Sequence, residues 1–535
     1  MIPTARYLAI AALAVAVTTE VAAQSLLPAF SPVMPGAGSM HVRAGAQGRA
    51  PTTVAHHPRQ FPLQAPWRTG VADLHELSHS DNTELFSQQR DAVCALVGGG
   101  FAAAWQEGEF PQPVNIRLQY VDGDGNSLFA PGGLIVGSHA YEYALIEVVT
   151  HPSAGVLVVF ARYATQTTGE VRVNWIDAQG QLRWGATGVS LFGPMANAVV
   201  FGAPTVMADA SGGAYVCATR QDLSGDDSQL VCQHVDADGQ LLWPATGIAA
   251  GGEPGWRVLP SLVPDGSDGA IVVWSNHRLI FTPPEMPQLV EGQRFSAGGQ
   301  RLWGPAGKLL RATAIPGIGF HSYLELLAVP DGAGGVVFAA EDWNGAMPAS
   351  RDVVVQRVSA DGILLWSPTT YIGATDEIEQ VDSLTAMPDG GVVVGVARTD
   401  GVTTYLTYLQ RLDGSGASVW PQETPIGVSS SMQDFSSFGL VVDGRLRFVY
   451  TTFGPTSYDA HLAEFSLDGR RLTPPGGLAM ATGPLNDPVR GIAQDAGGAV
   501  TALVFDEWIP GQVAQSNTWI GLYRSELFAD GFEAR

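Results

Sequence analysis

Val235–Ala245 reads VDADGQLLWPA, and the chain keeps returning to it. Close copies are IDAQGQLRWGA from Ile176, FSAGGQRLWGP from Phe295, VSADGILLWSP from Val358 and LDGSGASVWPQ from Leu412. Weaker copies are VDGDGNSLFAP from Val121 and SLDGRRLTPPG from Ser466. Each copy holds the end of one apolar run, a turn rich in Asp and Gly, and the start of a second run. The Asp-Gly and Gly-Gly pairs supply the positive φ angles that tight hairpins need. Runs of Val, Ile, Leu and aromatic residues between such turns read as short strands.

Working outward, each unit has four strand segments, a to d. One unit reads VLPSLVPDG from Val258, AIVVWSN from Ala270, VEGQRFSAGG from Val290 and QRLWGPAGKLL from Gln300. The a–b turn occurs at Val97, Pro152, Ala210, Asp265, Asp331, Pro388, Val442 and Asp495. The d segment occurs at Phe129, Trp184, Trp243, Trp303, Trp366, Trp420 and Thr473, one fewer than the turns. APWRTGVADL around Trp67 resembles the d segment around Trp243 and supplies the missing one. An N-terminal strand that completes the last unit ties a ring shut and removes its exposed edges. The expected fold is therefore all-β, a single eight-bladed β-propeller over residues 65–525, closed by an N-terminal outer strand. A seven-bladed ring is the alternative.

The repeats resemble those of quinoprotein-type propellers, in which Asp, Gly and a Trp four residues after the Gly recur in each blade. Asp236, Gly239 and Trp243 hold that spacing, as do Asp177, Gly180 and Trp184. They also resemble secreted bacterial proteins built from DGxGG and QRVDxxGxxLW units. The resemblance covers the repeats and carries no catalytic motif.

Residues 1–23 read as a signal peptide: Arg6, an apolar run from Tyr7 to Val17, then Val21-Ala22-Ala23. No later run is long enough to span a bilayer. Residues 24–64 form a leader rich in Pro, Gly, Ala and Gln. The tail, 526–535, resembles the Asp-Gly-Phe-Glu ending of exported proteins of Gram-negative bacteria. A periplasmic or secreted protein is expected, and a monomer. Of three cysteines, Cys217 and Cys232 flank a hairpin centred near Gly225 and should face each other at disulfide distance. Cys94 is left unpaired and is expected to be buried. Net charge is −23, which opposes nucleic-acid binding.

Strand direction alternates, so the b–c loops and d–a connections share one end of the ring. They are long and differ in every unit, whereas the a–b and c–d turns are short. Variable loops on a rigid scaffold are where recognition usually sits. The end of segment b carries Glu107, Arg162, Arg220, Asn276, Asp342, Arg398 and Thr451, with Trp343 and Trp508 nearby. Such a rim could grip a polyanion or a sugar, although plain emergence of strand b into water explains the polarity more simply. Trp105 and Trp274 are as well placed for the core as for the rim.

His75-Glu76-Leu77-Ser78-His79 matches H-E-x-x-H, which binds zinc when a helix puts both imidazoles on one face. Ser78, Ser80, Asp81 and Asn82 make a poor helix, so a solvated d–a connection is the preferred reading. The Asp-rich turns at Val121 and Leu223 look like calcium loops but read better as hairpin turns, and a helix–loop–helix calcium site would need Glu where Gly133 stands. No cofactor is expected. The function expected is an exported, non-catalytic propeller binding an unknown protein or glycan at its variable end. The alternatives are a propeller enzyme, either a quinoprotein-like dehydrogenase or a polysaccharide lyase, and an envelope-assembly scaffold.

Overall fold

The structure is a computed structural model. It describes residues 73–77, 83–84, 93–107, 114–139, 146–165, 168–193, 195–196, 198–222, 228–252, 255–277, 285–316, 326–344, 350–373, 375, 377–399, 405–427, 433–453, 457–482, 488–508 and 516–524. All lie in one compact unit, Gly36–Arg535. Among the described residues every regular element is a strand, and no helix is long and apolar enough to cross a membrane. The signal, leader, Trp67, His79, the Leu223 turn and the tail lie outside the described residues.

The strands pair in antiparallel runs of four. In the third unit Ala198–Ala208, Ala214–Asp222, Ser228–Val235 and Ile248–Ala249 are neighbours in that order. In the fifth unit the order is Leu326–Pro330, Val336–Asn344, Ser350–Val358 and Thr370–Ile372. The first strands of successive units touch: Val93–Ala95, Ile146–Thr150, Ala198–Ala208, Trp256–Pro264, Leu326–Pro330, Ile378–Ala386, Gln433–Val442 and Val489–Gln494, with the last of these back against the first. Apolar clusters lie between adjacent sheets, as in the set Tyr215, Trp243, Val272, Trp274 and Phe295 between units three and four.

The repeated residues explain how one unit docks on the next. Buried Gln233 accepts a hydrogen bond from the Trp243 N–H at 3.2 Å and donates to the Pro244 carbonyl, which fixes the path into the fourth strand. Asn174, Gln293 and Gln356 receive Trp184, Trp303 and Trp366 in the same way. Each tryptophan then reaches the c–d turn of the following unit. The indole N–H of Trp184 donates to the Ala237 carbonyl at 3.0 Å, and those of Trp243, Trp303, Trp366 and Trp420 donate to Ala297, Ala360, Gly414 and Leu467. Glycine is required beneath the ring: Gly239 has φ +80°, and a Cβ there would sit 2.8 Å from Trp184. The Asp of the turn is spent locally, since Asp236 accepts the N–H groups of Asp238 and Gln240. Asp122 does the same for Asp124 and Asn126, so the turn at Val121 uses its carboxylate as a hairpin brace.

The N-terminal strand, Asp73–Glu76, pairs with Ser516–Arg524, with Leu74 opposite Gly521 and His75 opposite Ile520. It completes the last sheet, as the repeat arithmetic predicts. His75 and Glu76 lie inside this strand rather than in a connection after it, because the paired register carries extended backbone through both. A strand sends adjacent side chains to opposite faces, so the helical geometry of a zinc H-E-x-x-H is absent from the described part of the motif. His75 instead lies against the first unit, where a Cβ at Gly125 would meet its ring at 1.8 Å. Cys217 and Cys232 are in register and form a disulfide. Cys94 lies outside the disulfide and is half-buried, not buried, because its short strand leaves part of the side chain uncovered.

Candidate functional site

The tight a–b and c–d turns gather at one end of the sheets, so the end of strand b and the start of strand c mark the other. At this b–c end the strand register pairs the rim residues with partners across the sheet. Glu107 holds Arg117 at 2.6 Å. Arg162 and Arg172 both hold Glu170, at 2.6 and 2.7 Å. Burial works to raise the Glu170 carboxyl, but the hydrogen bonds from Arg172 and Arg162 outweigh it and keep the group below the usual carboxylate range. Asn276 is fully buried and donates to Glu291 at 2.9 Å, where the Trp274 indole also donates at 3.0 Å. Arg398 holds Glu379 at 3.3 Å and also pairs with Glu423. Thr451 accepts the Val489 N–H at 2.9 Å and so belongs to the joint with the last sheet. Arg220 makes no ion pair with any described residue. Trp105 and Trp274 are fully buried core residues. Trp508 ends its strand and Trp343 is the last residue but one of its own, and their side chains lie outside the described set.

The densest group spans units four to six. Asp342 and Asp352 face each other directly on strands b and c of the fifth unit. Asp342 pairs with Arg311 from the outer strand of the fourth unit, Lys308–Pro316, and accepts the Tyr371 hydroxyl at 3.0 Å. Burial disfavours the charged Arg311, but Asp342 and Tyr371 more than compensate and raise it. Tyr371 is raised by burial and by the Asp342 charge. On the side of the fifth unit turned to the sixth, Glu341 holds Arg351 at 2.7 Å, and Arg351 is in register with Ile378 at the start of the next sheet. One residue on, Glu379 is fully buried and accepts a hydrogen bond from Thr375. Burial pushes its carboxyl up, Thr375 and Arg398 pull it down, Asp352 pushes it up again, and the net shift is upward.

Among the described residues no group of three or more His, Cys, Asp or Glu side chains is placed to hold a metal ion. What the arrangement offers is a set of planar donors and acceptors, mostly paired to each other, and one carboxyl biased toward its protonated form. Sequence reading reached Glu107, Arg162, Asn276, Asp342 and Arg398 through their common place on strand b. It missed Glu170, Glu291, Arg311, Tyr371, Glu379 and Glu423, whose membership depends on cross-strand register and on packing between sheets.

No protein-family model matches the chain, so the quinoprotein resemblance rests on the repeats alone. No curated protein matches it. Solved structures similar to it include the polysaccharide lyase Uly1, at 8% identity and TM-score 0.42, covering 83% of this chain and 90% of that one. An ulvan lyase of polysaccharide lyase family PL25 matches at 11% identity and TM-score 0.44, over 85% of this chain and 96% of its own. An α-L-arabinanase of Penicillium chrysogenum, complexed with arabinobiose, matches at 10% identity and TM-score 0.32, over 60% and 92%. At these identities none of their residues is carried over to this chain.

Proposed function

We propose that the chain is a closed eight-bladed β-propeller, working outside the reducing cytoplasm, that engages a carbohydrate chain at the b–c end of its strands. The cyclic contact of eight first strands and the N-terminal strand in the last sheet support the closed ring. The Cys217–Cys232 bridge suits an oxidising compartment.

The ligand class rests on one observation. Arg117, Arg162, Arg311, Arg351 and Arg398 at this end hold a carboxylate already, and Arg220 is the one rim arginine with no ion pair to a described residue. A site built for a polyanion needs guanidinium groups without acidic partners, and the net charge of −23 opposes phosphate and sulfate further. Paired guanidinium and carboxylate groups present donors and acceptors at fixed spacing, which suits neighbouring hydroxyls on a weakly charged polyol.

A second reading, that the propeller also cleaves the chain, is favoured by Glu379. A buried carboxyl whose pKa is pushed upward by its surroundings is what glycosidic bond cleavage uses as its general acid. Incubation with a panel of polysaccharides, read by affinity electrophoresis and by newly formed chain ends, tests both. Retention by a neutral polysaccharide supports binding, and retention by none overturns it. Product formation that falls by about a hundredfold or more in Glu379→Gln, with retention unchanged, supports catalysis. Retention without product leaves a binding protein.

A further inference from the structure

Tyr371 is the one Phe, Tyr or Trp among the described side chains that is exposed, at 42% of the residue's surface. It is also held in place. Its hydroxyl donates to Asp342, and the Arg311 guanidinium on the same carboxylate lies over the ring, 5.6 Å from its centroid. The anchor is firm, because Asp342 is buried, with 7% of its side chain exposed, and it ends a well-packed column. One step down the same face of the two strands, Ala340 and Val354 close the apolar core between units four and five. Tyr371 pairs with Val354 and so stands directly above that core.

The sister units show what is unusual here. In six sister units the residues at the Tyr371 register position are Ile135, Ser190, Ala249, Leu309, Pro425 and Ala479, none of them aromatic, and the outer strand of the last unit carries His75, whose ring packs against Gly125 of the first unit. A tyrosine that merely covered the core would need no anchor at its hydroxyl and would bury its ring. This one is covered on one face by Arg311 and open to solvent elsewhere. Two buried polar atoms beside it, Asp342 Oδ1 and Arg311 Nε, are without a hydrogen-bond partner. A fixed, partly open aromatic plane beside a charged Arg–Asp pair suits a ring with one apolar face and hydroxyls at its edge. Pre-set side chains also bind at lower entropic cost than mobile ones.

We propose that Tyr371, Arg311 and Asp342 form a stacking subsite for a neutral pyranose unit, at the seam between units four and five. The proposal rests on the carbohydrate reading above and narrows it to uncharged sugar and to one place on the rim. The two carboxylates Asp342 and Asp352, opposed in register, disfavour a uronate or sulfated unit.

The test is affinity electrophoresis of the full chain in gels containing xylan, galactomannan, mixed-linkage β-glucan, alginate or polygalacturonate. Retardation by at least one of the three neutral polymers is expected, with Tyr371→Ala weakening it by about tenfold or more. Tyr371→Phe keeps the ring and loses the anchor, so an intermediate loss is expected. Asp238→Ala, exposed in a c–d turn at the opposite end of the sheets, should match the parent chain. Thermal melting of each variant separates lost binding from lost fold. Absence of retardation by all five polymers overturns the carbohydrate reading itself. Retardation that Tyr371→Ala leaves unchanged overturns the subsite alone, and retardation confined to alginate or polygalacturonate overturns its neutral specificity.

Discussion

His234 Nε2 lies 2.7 Å from Asp209, across the third unit, while its Nδ1 lies 3.1 Å from the Ala297 carbonyl of the fourth. Arg294 occupies the same position one unit on and makes the same two contacts, to Asp265 and to the Ala360 carbonyl. Arg357 repeats them with Asp331 and Gly414, and Arg411 with Asp389 and Leu467. In each case the carbonyl is the one that also receives the tryptophan indole. A nitrogen-bearing side chain, imidazole in one unit and guanidinium in three, is thus part of the joint between sheets at strand c and the a–b turn.

His234→Arg should therefore keep the fold's stability, since three sister units use arginine. His234→Leu leaves Asp209 buried without its partner and should cost about 3 kcal/mol. Burial works against the Asp209 charge, but hydrogen bonds from His234, the Gly213 N–H and Ser211 hold the carboxyl at about 2, below its ordinary 3.8. A lowered acid contributes stability above its unfolded value and loses it as pH falls through the folded one. About 2 kcal/mol should disappear between pH 4 and pH 2. Melting curves over that range, with Asp209→Asn as the comparison, check this: the variant should start lower and slope less.

The docking of Trp184 on Gly239 separates two costs. Trp184→Phe keeps the ring and loses the bond to Ala237, for about 1 kcal/mol. Trp184→Ala empties the contact, for about 3–5 kcal/mol. Gly239→Ala attacks the same contact from the other side, forcing a Cβ against the indole at a φ that alanine resists. Its cost should fall when combined with Trp184→Ala, because the clash is gone. Denaturant melts of the two singles and the double give the coupling, and strictly additive losses would break the link between these residues.

That docking also marks what could be read from the sequence. The Asp, the Gly and the Trp four residues after the Gly lie within one short stretch, so their spacing survives as a visible repeat and gives the strand order and the closing strand. The partner of the tryptophan, Gln233, sits ten residues upstream on another strand, and its role emerges only when the register pairs the two. Tyr371 was hidden further. It lies in a three-residue outer strand, Thr370–Ile372, too short to show alternation, and its partner Arg311 comes from another unit. Local spacing encodes the scaffold, while the rim is assembled from residues whose proximity is set by packing.

His461 gives a second pH dependence, at a higher window. Burial beside Tyr450 takes its imidazole down to about 4 from an ordinary 6.5. The unfolded chain binds that proton first as pH falls, so the folded state loses stability between pH 6.5 and pH 4 and is unaffected above that range. Because part of the ring is exposed, a loss of about 2 kcal/mol is expected. His461→Gln should flatten the melting temperature across this window while leaving the loss below pH 4 in place. An unchanged slope in the variant would assign the window to other groups.

The N-terminal strand carries more of the fold than its four residues suggest. Asp73–Glu76 covers the edge of Ser516–Arg524, and the Leu77 N–H donates to the Thr518 carbonyl at 2.9 Å. Leu77 is buried with Val93, Phe101, Ala502 and Ile520, residues of the first and last units, so it packs across the joint between them. A chain beginning at Ser78 would leave a long apolar strand edge open, which invites pairing with other chains. It should melt earlier and form concentration-dependent aggregates. Leu77→Asp keeps the strand and strikes only the buried contact, for about 3 kcal/mol or more. Hydrogen exchange distinguishes the two effects: the amides of Thr518, Ile520 and Leu522 should lose protection in the truncated chain well before those of Val392–Thr399, on a distant sheet. Equal protection in both places would mean that the last sheet does not depend on the N-terminal strand.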